Sequence, residues 1–128
     1  MVTHFVLAKA EDVACVVSYT DYPASYELDP ERELLQTRDG LVRGAGALLV
    51  TSRPFQYAIT SARTVSALEF SAVSGPATYH GILAIVDRRL YTWTIIAPSA
   101  FAQGPDADRF LRSFQLVPAS SPSAMQRS

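Results

Sequence analysis

The stretch Tyr79–Ile96, YHGILAIVDRRLYTWTII, reads as two strands folded back on each other. Two apolar runs flank a polar centre, Asp87-Arg88-Arg89, and the aromatic pair Tyr91 and Trp93 follows. Asp87 and Arg88 suit an exposed two-residue turn, because aspartate tolerates the positive φ a tight turn demands. Arg89 then opens the returning strand. Its guanidinium needs a carboxylate, and Glu69, set between Leu68 and Phe70 in an apolar run, is the best candidate.

Working outward, "THFVLAKA" and "DVACVVSYTDY" alternate as two strands with a break at Ala10-Glu11-Asp12, short enough for a hairpin. Pro23 ends the second. A helix follows. Asp29 caps it, Pro30 fits its first position, and Glu31 and Glu33 suit the positive end of its dipole. Leu34, Leu35, Leu41 and Val42, with Ala45 and Leu48 beyond, make one apolar stripe, and Gly44 and Gly46 stop the helix. The chain then turns β-rich: "ALLVTSR", a break at Pro54, "FQYAIT", and "VSALEFSAV" before a Gly75-Pro76 turn. A second helix runs from about Pro105 to Phe114, where Ala107, Phe110, Leu111 and Phe114 recur at helical spacing and should face the sheet. The order β-β-α-β-β-β-β-β-α predicts an α+β domain over 1–117, an antiparallel sheet covered by two main helices. The Pro/Ser-rich end, 118–128, reads as a disordered tail.

Composition bounds the function. The 128 residues make one ordinary domain, and 48% apolar against 18% charged residues is a globular balance. A net charge of -1 argues against a nucleic-acid surface, which would need a basic stripe. No run approaches the ~20 apolar residues of a membrane-spanning helix. The start has no basic n-region and no long apolar h-region, which leaves two expected locations: the cytoplasm, or the cell envelope if the full-length form is exported or anchored. Cys15 is the sole cysteine, so no intrachain disulfide or cysteine zinc cluster can form, and its apolar run predicts a buried, inert thiol.

No stretch spells out a reaction. A serine nucleophile elbow, G-x-S-x-G, is absent. His4 and His80 lie in separate strands without metal-ligand spacing, and His80 reads as an edge or surface histidine. Gly44-Ala45-Gly46 is half a dinucleotide fingerprint in the wrong place, after a helix. No cofactor and no metal is expected. Tyr19, Tyr22, Tyr91 and Trp93 can be read as an aromatic ligand platform, although aromatics in central strands are more often core. Glu69 can be read as part of a polar binding site, as a structural ion pair with Arg89 or Arg63, or as an outward-facing residue.

Several segments taken in order resemble the PsbP/Mog1-like superfamily, and more narrowly bacterial domains of unknown function with that fold. "VSYTDYP" (Val17 to Pro23, with Tyr19, Asp21 and Tyr22) is similar to the family's strand ending Tyr-Asp-Tyr-Pro. "DPERELLQTRDGLV" resembles the helix after it, with Arg38, Asp39 and Gly40 at its "rDG". "LEF" (Leu68 to Phe70) matches the element around the family's glutamate. "IVDRRLYTWTII" resembles a hairpin in which Arg89 and Tyr91 hold marked positions, and "ADRFLRSFQL" resembles the closing helix. Two features depart from the pattern: a glycine-rich turn before the glutamate is missing, and there is no room for a strand upstream of His4. The resemblance implies an α/β/α sandwich with Tyr79–Ile96 at the sheet centre, Arg89 paired with Glu69, and Tyr91 packed under a helix. It also implies a non-catalytic assembly or interaction module with an unidentified protein partner. The alternative is a small apolar ligand or lipid-binding domain with a cavity between sheet and helices. An open edge at "THFVLAKA" predicts edge-strand self-association.

Overall fold

The computed structural model describes residues 2–10, 13–98, 102 and 104–112, with side chains described for 13–98, 102, 104–109, 111 and 112. Six strands form one antiparallel sheet: β1 (Val2–Ala10), β2 (Val13–Asp21), β3 (Leu48–Thr60), β4 (Arg63–Ser74), β5 (Ala77–Val86) and β6 (Arg89–Pro98). Their spatial order is β1-β2-β6-β5-β4-β3. The β5–β6 hairpin is therefore central, as its two-sided apolar pattern requires. Its turn is at Asp87-Arg88, and Asp87 has φ 56°. Helix α1 (Pro30–Gly44) connects β2 to the far edge strand β3, and α2 (Pro105–Arg112) follows β6.

The alternation of the strands divides the core into two layers. On one face, Leu68, Phe70, Leu83, Ile85 and Leu90 pack with Tyr22 and with Leu34 of α1. On the other, Ile82, Ala84, Trp93, Ile95 and Tyr57 pack with Ala102 and with Ala107 and Leu111 of α2. Gly81 is required by the first layer. A Cβ there would lie 2.8 Å from the Phe70 ring and 2.7 Å from Thr94 Oγ1, too close for either to keep its place.

Both ends of α1 are satisfied as the sequence suggests. Asp29 accepts from the Arg32 amide, and Pro30 occupies the first turn. At the other end Gly46 takes φ 63°, its amide donates to the Arg43 carbonyl, and the Ala47 amide donates to Val42. That pattern closes a helix on a left-handed residue.

Three expectations change. Pro54 does not break the chain into two strands: β3 runs through it, and the ladder continues across Pro54↔Leu68. A proline is tolerated because β3 is an edge strand, where its missing N–H can face outward. Leu48 belongs to β3 rather than to the stripe of α1 and is 74% exposed, and Leu35 and Leu41 are also exposed. Glu33 is buried rather than simply facing the dipole. The expected burial of Phe110 and Phe114 and the tail from 118 lie outside the described side chains and residues. So does the side-chain packing of β1, although its backbone pairing with β2 makes it the other sheet edge.

Candidate functional site

Four groups of side chains bear on function. The first lies on the α2 face of the sheet. Glu69 of β4 accepts from His80 Nε2 of β5 at 2.8 Å, Arg53 of β3 at 2.6 Å and Arg112 of α2 at 2.8 Å. Burial opposes ionisation of this carboxylate. The hydrogen bonds from Arg112, His80 and Arg53 outweigh it and hold its pKa down at about 2. The other ring nitrogen of His80, Nδ1, lies 2.9 Å from the Ala102 carbonyl. Both nitrogens are thus occupied, and neither is aimed at Ser71, whose hydroxyl pairs with Thr51 at 2.6 Å. A Ser-His-Glu relay needs a free imidazole nitrogen on the nucleophile. The geometry here instead ties three strands to the segment carrying α2.

Two expectations fall at this point. Glu69 does not pair with Arg89. The two are on one face, but β5 separates their strands, and the residue opposite Arg89 across β2 is Asp21. Nor is His80 an edge histidine: it sits on a central strand with its side chain 14% exposed. The signal that could have found the true partners was the ladder Arg53↔Glu69, which needs β3 read as one strand.

Because the Glu69 pKa is lowered in the fold, its contribution to stability is fully present above its ordinary value of 4.5 and is lost as pH falls toward 2. Glu69→Gln should cost about 2 kcal/mol near neutrality, less than a fully buried pair because two of the three donors are partly exposed. Urea unfolding across pH should show this difference shrinking below pH ~4.5 and nearly vanishing near pH ~2. An equal difference at both ends would show that Glu69 is not ionised by these partners.

The second group is Arg89, which forks onto both oxygens of Asp21 at 2.7 and 3.0 Å. Its guanidinium lies 4.2 Å from the Tyr19 ring centre, and Tyr19 and Tyr91 approach at 6.2 Å. The bond to Asp21 raises the Arg89 pKa further above its usual value. Tyr91 is half-buried against the α2-side core. The expected aromatic platform is not one surface. Trp93 is fully buried on the same face, edge-on to Tyr57, and donates to the Leu111 carbonyl at 2.8 Å. Tyr22 lies on the opposite face in the core against α1.

The third group was not foreseen. Arg88 does not simply cap an exposed turn. Its guanidinium donates to the carbonyls of Tyr22 and Pro23, at 3.3 and 2.6 Å, and to that of Tyr26. Tyr22 and Tyr26 stack at 5.1 Å, and both hydroxyls donate to the buried Glu33, at 3.0 and 2.8 Å. Burial, then the Glu33 hydrogen bond, raises the Tyr22 pKa well above its usual value. The Tyr-Asp-Tyr-Pro element thus fastens the loop after β2 to α1 and to the central hairpin.

The fourth group is the start of β3. Leu48, Leu49 and Val50 are 74%, 41% and 54% exposed, and Leu41 of α1 is exposed as well. A bulge at Val50 interrupts the register between Leu49 and Thr51. Among the described residues no three metal-ligating side chains cluster, and no helix is long and apolar enough to cross a membrane.

Two solved structures are similar over nearly the whole chain. One is a protein of unknown function, a putative regulator, from Pseudomonas aeruginosa: TM-score 0.58, 10% identity, covering 92% of this chain and 85% of that one. The other is the cyanobacterial PsbP, CyanoP, from a Synechocystis species: TM-score 0.59, 11% identity, covering 90% and 82%. The fold is PsbP-like. No sequence family and no curated protein matches the chain. At these identities the likeness concerns the fold alone. The PsbP-like fold agrees with the antiparallel sheet and two helices expected from the sequence.

Proposed function

We propose that the chain is a non-catalytic protein-interaction module and that its docking surface is the exposed run Leu48-Leu49-Val50. The observation that carries this reading is the contrast between that run and the core. Trp93, Ile82 and Leu83 are wholly buried, while three consecutive large apolar side chains stand in solvent at a sheet edge. Several large apolar side chains exposed together at one sheet edge mark interaction sites in soluble domains more often than isolated ones do. The P. aeruginosa neighbour, described as a putative regulator, and CyanoP are consistent with this reading. Arg88, Arg89, Asp21 and Glu69 serve as scaffold in it, and the compartment, envelope or cytoplasm, follows whichever partner is found.

The double variant Leu48→Ser, Val50→Ser should keep the wild-type melting temperature, since neither side chain is in the core. It should also lose the proteins that wild type retains from its native extract, compared side by side by mass spectrometry. Equal retention by both would remove this surface from the reading.

One observation favours a second reading, a small apolar ligand. An open groove of about 300 Å³ lies between the C-terminal half of α1 and β2 and β6, floored by Val16, Phe70 and Ile96 and walled by Leu41 and Val42. Recovery of a bound lipid or other apolar small molecule from the purified protein by native mass spectrometry would favour it.

A further inference from the structure

We infer that His80 is a proton-dependent latch: with both ring nitrogens protonated it moors the segment leading into α2 to the sheet, and loss of one proton releases that mooring. The latch is independent of the docking surface proposed above. It follows from which atoms can donate. The imidazole lies between two acceptors, with Glu69 Oε2 at 2.8 Å from Nε2 and the Ala102 carbonyl at 2.9 Å from Nδ1. A backbone carbonyl has no proton to give, and neither has a carboxylate whose pKa is held down at about 2. Both contacts are hydrogen bonds only when the ring supplies a proton at each nitrogen, which is the imidazolium form. A neutral ring donates from one nitrogen and turns the lone pair of the other against an oxygen.

The surroundings decide which bond is lost. Glu69 on β4 also accepts from Arg53 on β3 and from Arg112 on α2, and Arg112 lies 3.3 Å from Asp108 on the same helix. Thr51, Ser52 and Ser71, which complete the polar pocket around the ring, do not titrate. Across from His80 on β6 stands Ile95, which has no charge. Between Pro98 and Pro105 the sequence has no titratable side chain. The second proton is thus favoured by the two acceptors and opposed by the two guanidinium groups. Once neutral, the ring keeps its proton on Nε2, because a carboxylate is the stronger acceptor. The Nδ1 lone pair then faces the Ala102 oxygen, and that contact turns repulsive.

Ala102 is wholly buried and packs in the same core layer as Ala107 and Leu111 of α2, so its release acts on the helix. The far end of α2 stays tied, through Trp93 to the Leu111 carbonyl and through Arg112 to Glu69. The expected motion is a loosening from the Ala102 side, with the helix still attached at its other end.

The test follows two signals in the full chain, from about pH 5 upward until the ring has titrated. One is the protonation of each His80 nitrogen, read by heteronuclear NMR. The other is the set of amide protection factors, in which the intrinsic pH dependence of exchange is divided out. At the acid end both ring nitrogens should carry a proton, and Nδ1 should be the one that loses it. Protection across residues 106–112 should fall about tenfold along the same curve, while protection in α1 stays constant.

Glu69→Gln separates the latch from a merely structural contact. A glutamine amide can donate to Nε2, so a neutral ring with its proton on Nδ1 satisfies both partners. Protection of α2 in this variant should be lower throughout, for the lost arginine pairing, but should no longer change as His80 titrates. His80→Phe should likewise abolish the pH dependence. His4→Gln, which identifies the signals of the other histidine, should leave it unchanged. Protection of α2 that stays flat while His80 titrates, or that changes with a different midpoint, would overturn the latch. So would a ring holding a single proton at every pH, or a pH dependence that survives Glu69→Gln.

Discussion

Trp93→Ala should be the most damaging single change in this protein, costing about 3–5 kcal/mol. The side chain is fully buried, sits 5.5 Å from the Tyr57 ring in an edge-on pair, and has the Leu111 carbonyl as hydrogen-bond acceptor. Truncation leaves a large void between β6 and α2 and removes that carbonyl's donor at the same time. The melting temperature should fall by well over ~10 °C for a domain of this size. Trp93→Phe separates the two losses. It keeps most of the packing but strands the carbonyl, for about 1–3 kcal/mol. Amide exchange across Pro105–Arg112 should then accelerate more than exchange in α1. If Trp93→Phe leaves the exchange of α2 unchanged, the indole N–H is not what holds this helix.

Arg88→Ala should cost about 2–3 kcal/mol, more than Arg89→Ala, which reverses what the sequence suggests. Read in isolation, Arg88 is the second residue of an exposed turn and should be free to change. In the fold its guanidinium serves three carbonyls of the loop after β2. Charge-assisted bonds of this kind are worth more than neutral ones, and the alanine variant loses all three at once. Arg89 has an excellent fork onto Asp21, but Asp21 is 49% exposed, so water replaces much of what the variant loses. Arg88→Lys should recover only part of the loss, because one ammonium cannot span the three acceptors as a planar fork does. Urea midpoints for the three variants give the order directly. A stable Arg88→Ala protein would mean that the loop is held by Tyr22, Tyr26 and Glu33 alone.

These cases show what the sequence discloses and what it withholds. The Tyr79–Ile96 hairpin was legible because alternation on two faces and a positive-φ aspartate are local signals. The limits of α1 were legible for the same reason: Asp29-Pro30 and Gly46 act on their own backbone neighbours. The partners of Glu69, Arg88 and Arg89 were not. They depend on which strands become neighbours, and β2 pairs with β6, far along the chain. Placing Arg89 against Glu69 assumed a proximity that only the strand order could grant. Reading Pro54 as a break cost more, because it concealed that Arg53 stands directly across from Glu69. The exposed start of β3 was hidden by a coincidence of spacing: Leu48 continues the helical stripe of α1 by count, though the chain has already left the helix at Gly44.

Pro54 has a consequence for the solubility of the molecule. Among the described strands, β3 is an outer strand of 13 residues, long enough to recruit the strand of another molecule and begin a fibril. The ladder to β4 is continuous through Pro54, so its nitrogen belongs on the outward side, where it offers no donor. An incoming strand would meet a gap midway along the rim and could not extend its hydrogen bonds past it. The apolar start of β3 can therefore remain exposed while the backbone behind it is prevented from acting as a seed for polymerisation.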